Sequence, residues 1–199
     1  MKKLILVLFS FIFIIKVSHS NTYSADPKIF VAELVNDAIT KLSDKNLTKE
    51  DKKLFIEEIA EANVDINALG LYTLGELRKS TDKNNLEEYQ KSFKKYFLKT
   101  LTSRLSDYSS NNFEVISAEK KSANYTIVKS RITENENQPE IKIDWRIYTK
   151  NPEKPLIRDL IVEGLSLARA QKEEFNSILT SNDNDIKILI AKLEEFVDK

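Results

Sequence analysis

Hydrophobic positions recur along this chain at two different periods, and the changes of period divide it into helix, strand and helix again. Behind Asp26-Pro27, which read as an N-cap and first helical position, Ile29, Phe30, Leu34, Val35, Ala38, Ile39 and Leu42 follow helical spacing and predict a helix to about Asp44. Thr48 with Asp51 forms a capping-box signature ahead of Leu54, Phe55, Ile59 and Ala60. Asp65 is placed to cap a shorter helical segment carrying Ile66, Leu69, Leu71, Leu74 and Leu77. The longest helix is predicted from near Thr81 to about Ser106, with a strongly aromatic stripe of Leu86, Tyr89, Phe93, Tyr96, Phe97, Leu101 and Leu105, and Tyr108 just beyond.

From Asn112 the period becomes two. Residues 113–118 and 124–133 read as strands joined by a short link, and a polar turn around Pro139 leads into a third. There Ile141, Ile143, Trp145 and Ile147 alternate with Lys142, Asp144, Arg146 and Tyr148, the pattern of a strand with one buried face. After Pro152 and Pro155 a fourth run spans Leu156 to Val162, with Leu156, Leu160 and Val162 expected on one face and Ile157 and Ile161 on the other. Ser166 is then an N-cap for a helix to about Thr180, and Asp183 or Asp185 caps a last helix carrying Ile186, Ile188, Leu189, Leu193 and Phe196. N-terminal helices, a four-stranded antiparallel sheet and two C-terminal helices make an α+β fold, in which the aromatic helix is expected to face the sheet across an apolar cavity.

The first residues change the inventory. Met1-Lys2-Lys3, the apolar run Leu4–Ile15 and the small residues Ser18 and Ser20 read as a secretory signal peptide over 1–20, cleaved after Ser20, leaving one domain over 21–199. The run falls short of the roughly 20 apolar residues of a spanning helix, and no Cys follows it to carry a lipoprotein anchor. His19, the sole histidine, leaves with this segment, and the chain has no cysteine, so His/Cys metal sites and Ser-His-Asp or Cys-His catalysis are excluded. Loss of Lys2, Lys3 and Lys16 leaves 28 basic against 31 acidic residues, a net charge of −3 that argues against nucleic-acid binding. A secreted, disulfide-free chain fits a bacterial periplasm.

Gly70 and Gly75 have the spacing of a phosphate loop, but Glu76 and Leu77 stand where Lys and Ser or Thr are required, so close helix packing or a turn is the expected role. Lys91, Lys95 and Lys99 form a basic stripe, read as a solvated face with docking to an anionic partner or membrane surface as the minority reading. An enzyme would have to use Asp144 or Asp159, with Tyr108 as proton donor and a carboxylate perturbed by an apolar cavity. Against this, Asp144 lies between Lys142 and Arg146 on a surface ladder, and Asp159 is expected to pair with an arginine such as Arg104 or Arg131. A lipid carrier needs no reactive group: two acyl chains hold about 30 methylenes at ~0.8 kcal/mol each, so a dry cleft must match about 24 kcal/mol. An envelope adaptor with a filled core is the third reading. The candidate cleft residues are Phe93, Phe97, Leu101, Leu105, Tyr108, Val115, Ile127, Ile143, Trp145, Ile147, Leu160, Val162, Phe175 and Leu179, with no catalytic or metal-binding residue among them.

Several segments in order resemble the MlaC family, the periplasmic phospholipid carriers also known as toluene-tolerance auxiliary proteins. They are Tyr96-Phe97-Leu98 through Ser103-Arg104-Leu105 and Tyr108-Ser109, the triplet Asp144-Trp145-Arg146, and Arg158-Asp159-Leu160-Ile161-Val162-Glu163-Gly164-Leu165-Ser166-Leu167 with Phe175 following. The resemblance implies an NTF2-like or cystatin-like shape with an apolar cavity for acyl chains and no cofactor. It further implies phospholipid exchange between an outer-membrane lipoprotein–porin complex and an inner-membrane ABC transporter with its lipid-binding ring subunit. Two departures stand out: Glu76-Leu77-Arg78 where the family commonly has aromatic residues, and Lys172 where it commonly has arginine.

Overall fold

The computed structural model describes residues 23–105, 112–133 and 140–199. Helix α1 (Pro27–Ser43) begins as expected, with the Asp26 side chain accepting from the Lys28 and Ile29 amides and Pro27 in the first turn. Helix α2 (Lys49–Asn63) starts at the full Thr48–Asp51 capping box. Asp65 caps α3 (Ile66–Thr73) through the Ala68 amide. The segment predicted to run on through Leu77 instead breaks at Gly75, whose φ of 61° belongs to the left-handed region, and continues as a 3₁₀ turn over Gly75–Lys79. Helix α4 (Lys83–Leu105) follows.

Strands β1 (Phe113–Ser122), β2 (Tyr125–Ile132), β3 (Ile141–Tyr148) and β4 (Leu156–Val162) form an antiparallel meander. Four strands were expected and a fifth is present: β5 (Leu165–Ser166) pairs back onto β4 through Val162–Leu165 and Ile161–Ser166. Glu163 (φ 49°) and Gly164 (φ 81°) make the reversal, the two left-handed positions of a tight hairpin. Two residues carry no periodicity, which is why the pattern missed them. Ser166 then caps α5 (Leu167–Thr180), accepting from the Arg169 amide, and Asp185 rather than Asp183 caps α6 (Ile186–Asp198).

The faces predicted for β4 also require correction. Arg146 pairs with Asp159 and Ile147 with Ile157, so Arg158 is an extra residue in a bulge. Alternation shifts there. Ile157, Leu160 and Val162 lie on the face of Ile147, Trp145 and Ile143, whereas Leu156, Asp159 and Ile161 lie opposite, because directly paired residues share a face.

Apolar residues gather into two clusters. One is wholly helical, joining Ala60, Ile66 and Leu74 to Tyr89 and Phe93 of α4, Phe175 and Leu179 of α5, and Leu189, Ile190 and Leu193 of α6. The other joins Phe30, Val31 and Leu34 of α1 to Val128, Trp145, Ile147 and Ile157 of the sheet. Val64, at the turn between α2 and α3, packs against both.

Candidate functional site

The two clusters form two apolar walls of different origin. In the helical wall Phe93 stacks on Phe97 at 6.2 Å between ring centroids and meets Phe175 edge-on at 6.2 Å, while Tyr96 lies 5.8 Å from Phe175. Leu101 and Leu179 complete the group. The Tyr89 hydroxyl, fully buried, donates to the Gly70 carbonyl at 3.1 Å and lies 2.9 Å from the Thr73 hydroxyl. Burial pushes its phenol far up, against the opposing bond from Thr73, so it stays neutral and acts as a structural pin. Gly70 is needed for close approach: a Cβ there would meet the Phe93 ring at 2.9 Å. Both expected roles of the glycines are therefore present, packing at Gly70 and a turn at Gly75.

In the sheet wall Trp145 donates its indole N–H to the Ser130 hydroxyl at 2.8 Å, and Ser130 donates to the Ile143 carbonyl at 3.0 Å, so the one polar edge of a buried tryptophan is satisfied. Ile147, Ile143, Leu160 and Val115 belong to the same wall. The expectation that the aromatic helix faces the sheet is overturned. Helix α4 packs on α6, α3 and α2, and α1 covers the sheet. The reason lies in α5 and α6, whose apolar stripes occupy the aromatic face of α4, and in the Phe30–Val31–Leu34 group of α1, which takes the sheet.

The candidate cleft residues are thus divided. Phe93, Phe97, Leu101, Phe175 and Leu179 fall in the helical wall, and Val115, Ile143, Trp145, Ile147 and Leu160 in the sheet wall. Leu105 and Val162 are half-buried and belong to neither cluster. Ile127 pairs with Arg146 and so lies on the opposite face from Trp145. Tyr108 lies outside the described residues. The uncovered part of the sheet wall is one end of the meander, where Ile141 is 36% and Leu165 59% exposed beside half-buried Ile132, Ile143 and Val162 on the same face.

The polar ties that the structure shows between helices α3–α5 and the sheet run to a single strand, β4. Val64 bridges Ile157, and the Asp65 amide donates to the Ile157 carbonyl at 2.9 Å. Arg158, projected by the bulge, donates from Nε and Nη2 to Asp65 Oδ2 at 2.8 and 2.6 Å and from Nη1 to the Tyr125 hydroxyl at 2.8 Å, with its guanidinium 3.4 Å from the centre of the Tyr148 ring. Asp159, its side chain 1% exposed, accepts from the Ser166 hydroxyl at 2.6 Å and the Ala168 amide at 3.0 Å, with Arg146 at 3.5 Å. The sequence singled out Asp159 but not these partners. Arg131, one of the arginines expected for it, pairs with Glu114 and Glu140 instead. The pairing of Arg158 with Asp65 was missed, since the bulge that brings them together leaves no trace in a periodicity.

At Asp159 the arrangement is architectural. Both Asp159 oxygens are occupied by groups that hold α5 in place, and no set of three His, Asp or Glu side chains that would hold a metal ion occurs among the described residues. Beside Val64 an open surface pocket of about 200 Å³ is lined by Val64, Ile66 and Leu156 together with the charged Glu61, Asp65, Lys94 and Lys154. No helix among the described residues is long and apolar enough to cross a membrane.

No curated protein matches this chain. Among solved structures, the phospholipid-binding protein from Ralstonia solanacearum, determined in complex with a phospholipid, superposes with a TM-score of 0.68 over 84% of this chain and 94% of that one at 17% identity, a likeness of fold. The family model for the MlaC protein matches residues 32–195. A match over that span, together with an α+β fold that among the described residues has six α-helices and a five-stranded antiparallel meander, establishes that the chain belongs to the MlaC family.

Proposed function

We propose that this protein is a phospholipid carrier of the periplasm and not an enzyme, with residues 1–20 as its signal peptide and 21–199 as the carrier domain. The observation that carries the reading is the pairing of two apolar walls tied to one another along one strand. Each wall is a core in its own right, and the half-buried residues Phe97 and Leu101 on one side and Ile143, Leu160 and Val162 on the other are the surfaces available to acyl chains. The pocket of about 200 Å³ beside Val64 is open to the surface and smaller than the ~300–1,000 Å³ of ordinary ligand pockets, so in this reading cargo is accommodated by parting the walls about β4. A gross gain of about 24 kcal/mol from burying two chains offsets the apolar burial that each wall gives up when its neighbour moves away. The family and the lipid-bound Ralstonia structure support this cargo. In this reading the protein receives and delivers phospholipid between an outer-membrane lipoprotein–porin complex and an inner-membrane ABC transporter with its lipid-binding ring. It uses neither cofactor nor nucleic acid.

Organic extraction of the purified protein followed by mass spectrometry tests the proposal, together with uptake from liposomes. Diacyl phospholipid is expected in the extract. Phe97→Asp and Ile143→Asp, one on each wall, are expected to lower retention more than Lys95→Glu. Absence of diacyl lipid from the extract together with no uptake overturns the carrier reading, and the reverse ranking places the limit outside the cleft.

A further inference from the structure

On the helical layer, α2 and α4 flank a groove of about 570 Å³ whose floor backs onto the helical wall at Leu98. Lys49 and Lys53 stand on one bank and Lys95 and Lys99 on the other, over a floor that includes Leu98 and Val197. Glu50 and Glu57 are the acidic residues of the lining, leaving the groove net positive in a chain whose expected mature form is net negative. Glu50 lies 3.8 Å from Lys53, Lys99 donates to the Val197 carbonyl at 2.6 Å, and Lys95 has no ion pair among the described residues.

Spacing specifies the shape of what fits. On each bank the two lysines are four residues apart, about 6 Å along a helix axis, and the lined stretch is about 12 Å long on both helices. Carboxylates at i and i+4 on a helix have the same 6 Å repeat. The floor is apolar at Leu98 and Val197, and Leu54 stands 55% exposed one position beyond Lys53. A trough with an apolar floor and basic banks accepts a helix with an apolar stripe flanked by acids.

We propose that this groove is a docking site for an acidic amphipathic helix of a partner protein. The site is separate from the cleft between the walls, and the proposal stands whether or not the cleft carries phospholipid. Docking on the helical layer leaves the uncovered end of the sheet wall free.

The test uses the full mature protein and a fluorescent 16-residue peptide with Glu at i, i+4 spacing beside a Leu stripe, compared with a scramble of identical composition. Binding is read by anisotropy at low salt. The helical peptide is expected to bind, the scramble to bind more weakly, and Lys53→Glu with Lys95→Glu to reduce affinity about tenfold or more, an effect that fades as salt is raised. Lys120→Glu with Lys129→Glu, exposed on β1 and β2, is the charge-matched control and is expected to change nothing. Equal binding of scramble and helix, or equal loss in the control, overturns the proposal. So does a double variant that binds the peptide normally but loses binding to anionic phosphatidylglycerol vesicles, which would make the groove a membrane-binding surface. Lipid content of the same variants, read after extraction, separates this outcome from failure of the carrier reading.

Discussion

Arg158 offers the sharpest test of the strand β4 hinge. Replacing it by Ala removes two charge-assisted bonds to one Asp65 oxygen, the bond to the Tyr125 hydroxyl and the stacking on Tyr148. A pair this close in a dry interior would be worth more, but the side chains are 24% and 19% exposed, so part of the loss is recovered from water. Taking ~2 kcal/mol for the ion pair and ~1 each for the phenol bond and the stacking, then allowing for rehydration of Asp65, gives a net cost of about 3 kcal/mol. For a chain of this length that corresponds to a fall in Tm of about 6–12 °C, readable by calorimetry. Arg158→Lys is expected to lose about half as much, because a single ammonium cannot serve Asp65 and Tyr125 while lying flat on a ring. A double-mutant cycle with Asp65→Asn isolates the pair, with about 1–2 kcal/mol of coupling expected. Arg169→Ala, which breaks an exposed one-turn pair with Glu173, serves as the control and is expected to cost under about 0.5 kcal/mol. A cost for Arg158→Ala below about 1 kcal/mol, or no coupling to Asp65, refutes the reasoning. The functional consequence is separable: a looser joint is expected to speed release of lipid to acceptor liposomes. Unchanged release in a destabilised variant would mean that the walls part somewhere other than β4.

Two further substitutions probe the same framework. Asp159→Ala leaves the Ala168 amide and the Ser166 hydroxyl without their acceptor and is expected to cost ~2–4 kcal/mol in urea denaturation, whereas Asp159→Asn keeps one carbonyl oxygen for Ala168 and is expected to cost about half that; equal costs would show that charge with Arg146, not the acceptor geometry, is what matters. Gly70→Ala gains about 1 kcal/mol of helix propensity but drives a methyl to 2.9 Å from the buried Phe93 ring, so overpacking of ~1–3 kcal/mol is expected to win, and a variant of raised Tm would show that α3 and α4 can separate freely there.

Much of this architecture is legible in the chain because its signals are local. The caps at Asp26, Thr48, Asp65, Ser166 and Asp185 act on amides two or three residues away, and all but the last, left open between Asp183 and Asp185, appear where side-chain chemistry alone places them. The period of two across Ile141–Tyr148 likewise survives intact, with Trp145 and Ile147 buried. What escapes is whatever depends on one irregular residue. Arg158 shifts the register of β4 by bulging, which moves Ile157 to the face of Ile147 and puts Arg158 itself within reach of Asp65. Glu163 and Gly164 reverse the chain in two residues, and the strand they create is too short to show a pattern.

The pairing of walls was illegible for a deeper reason, and it bears on function. A stripe at helical spacing says which face of α4 is buried but not what buries it. The aromatic face of Tyr89, Phe93 and Tyr96 would serve equally against a sheet or against helices. The decision is made by the supply of apolar surface elsewhere: Phe175 and Leu179 on α5 and Leu189, Ile190 and Leu193 on α6 are enough to cover α4, and Phe30, Val31 and Leu34 on α1 are enough to cover Trp145 and Ile147. Had α4 been held by the sheet, parting the walls would have exposed the only core the molecule has. On the proposed carrier reading, packing of each wall by its own helices lets the two separate along the seam while Phe93, Phe175, Trp145 and Ile147 stay dry. A carrier that must exist both loaded and empty needs that independence, since it lets the cargo space vanish without unfolding either half.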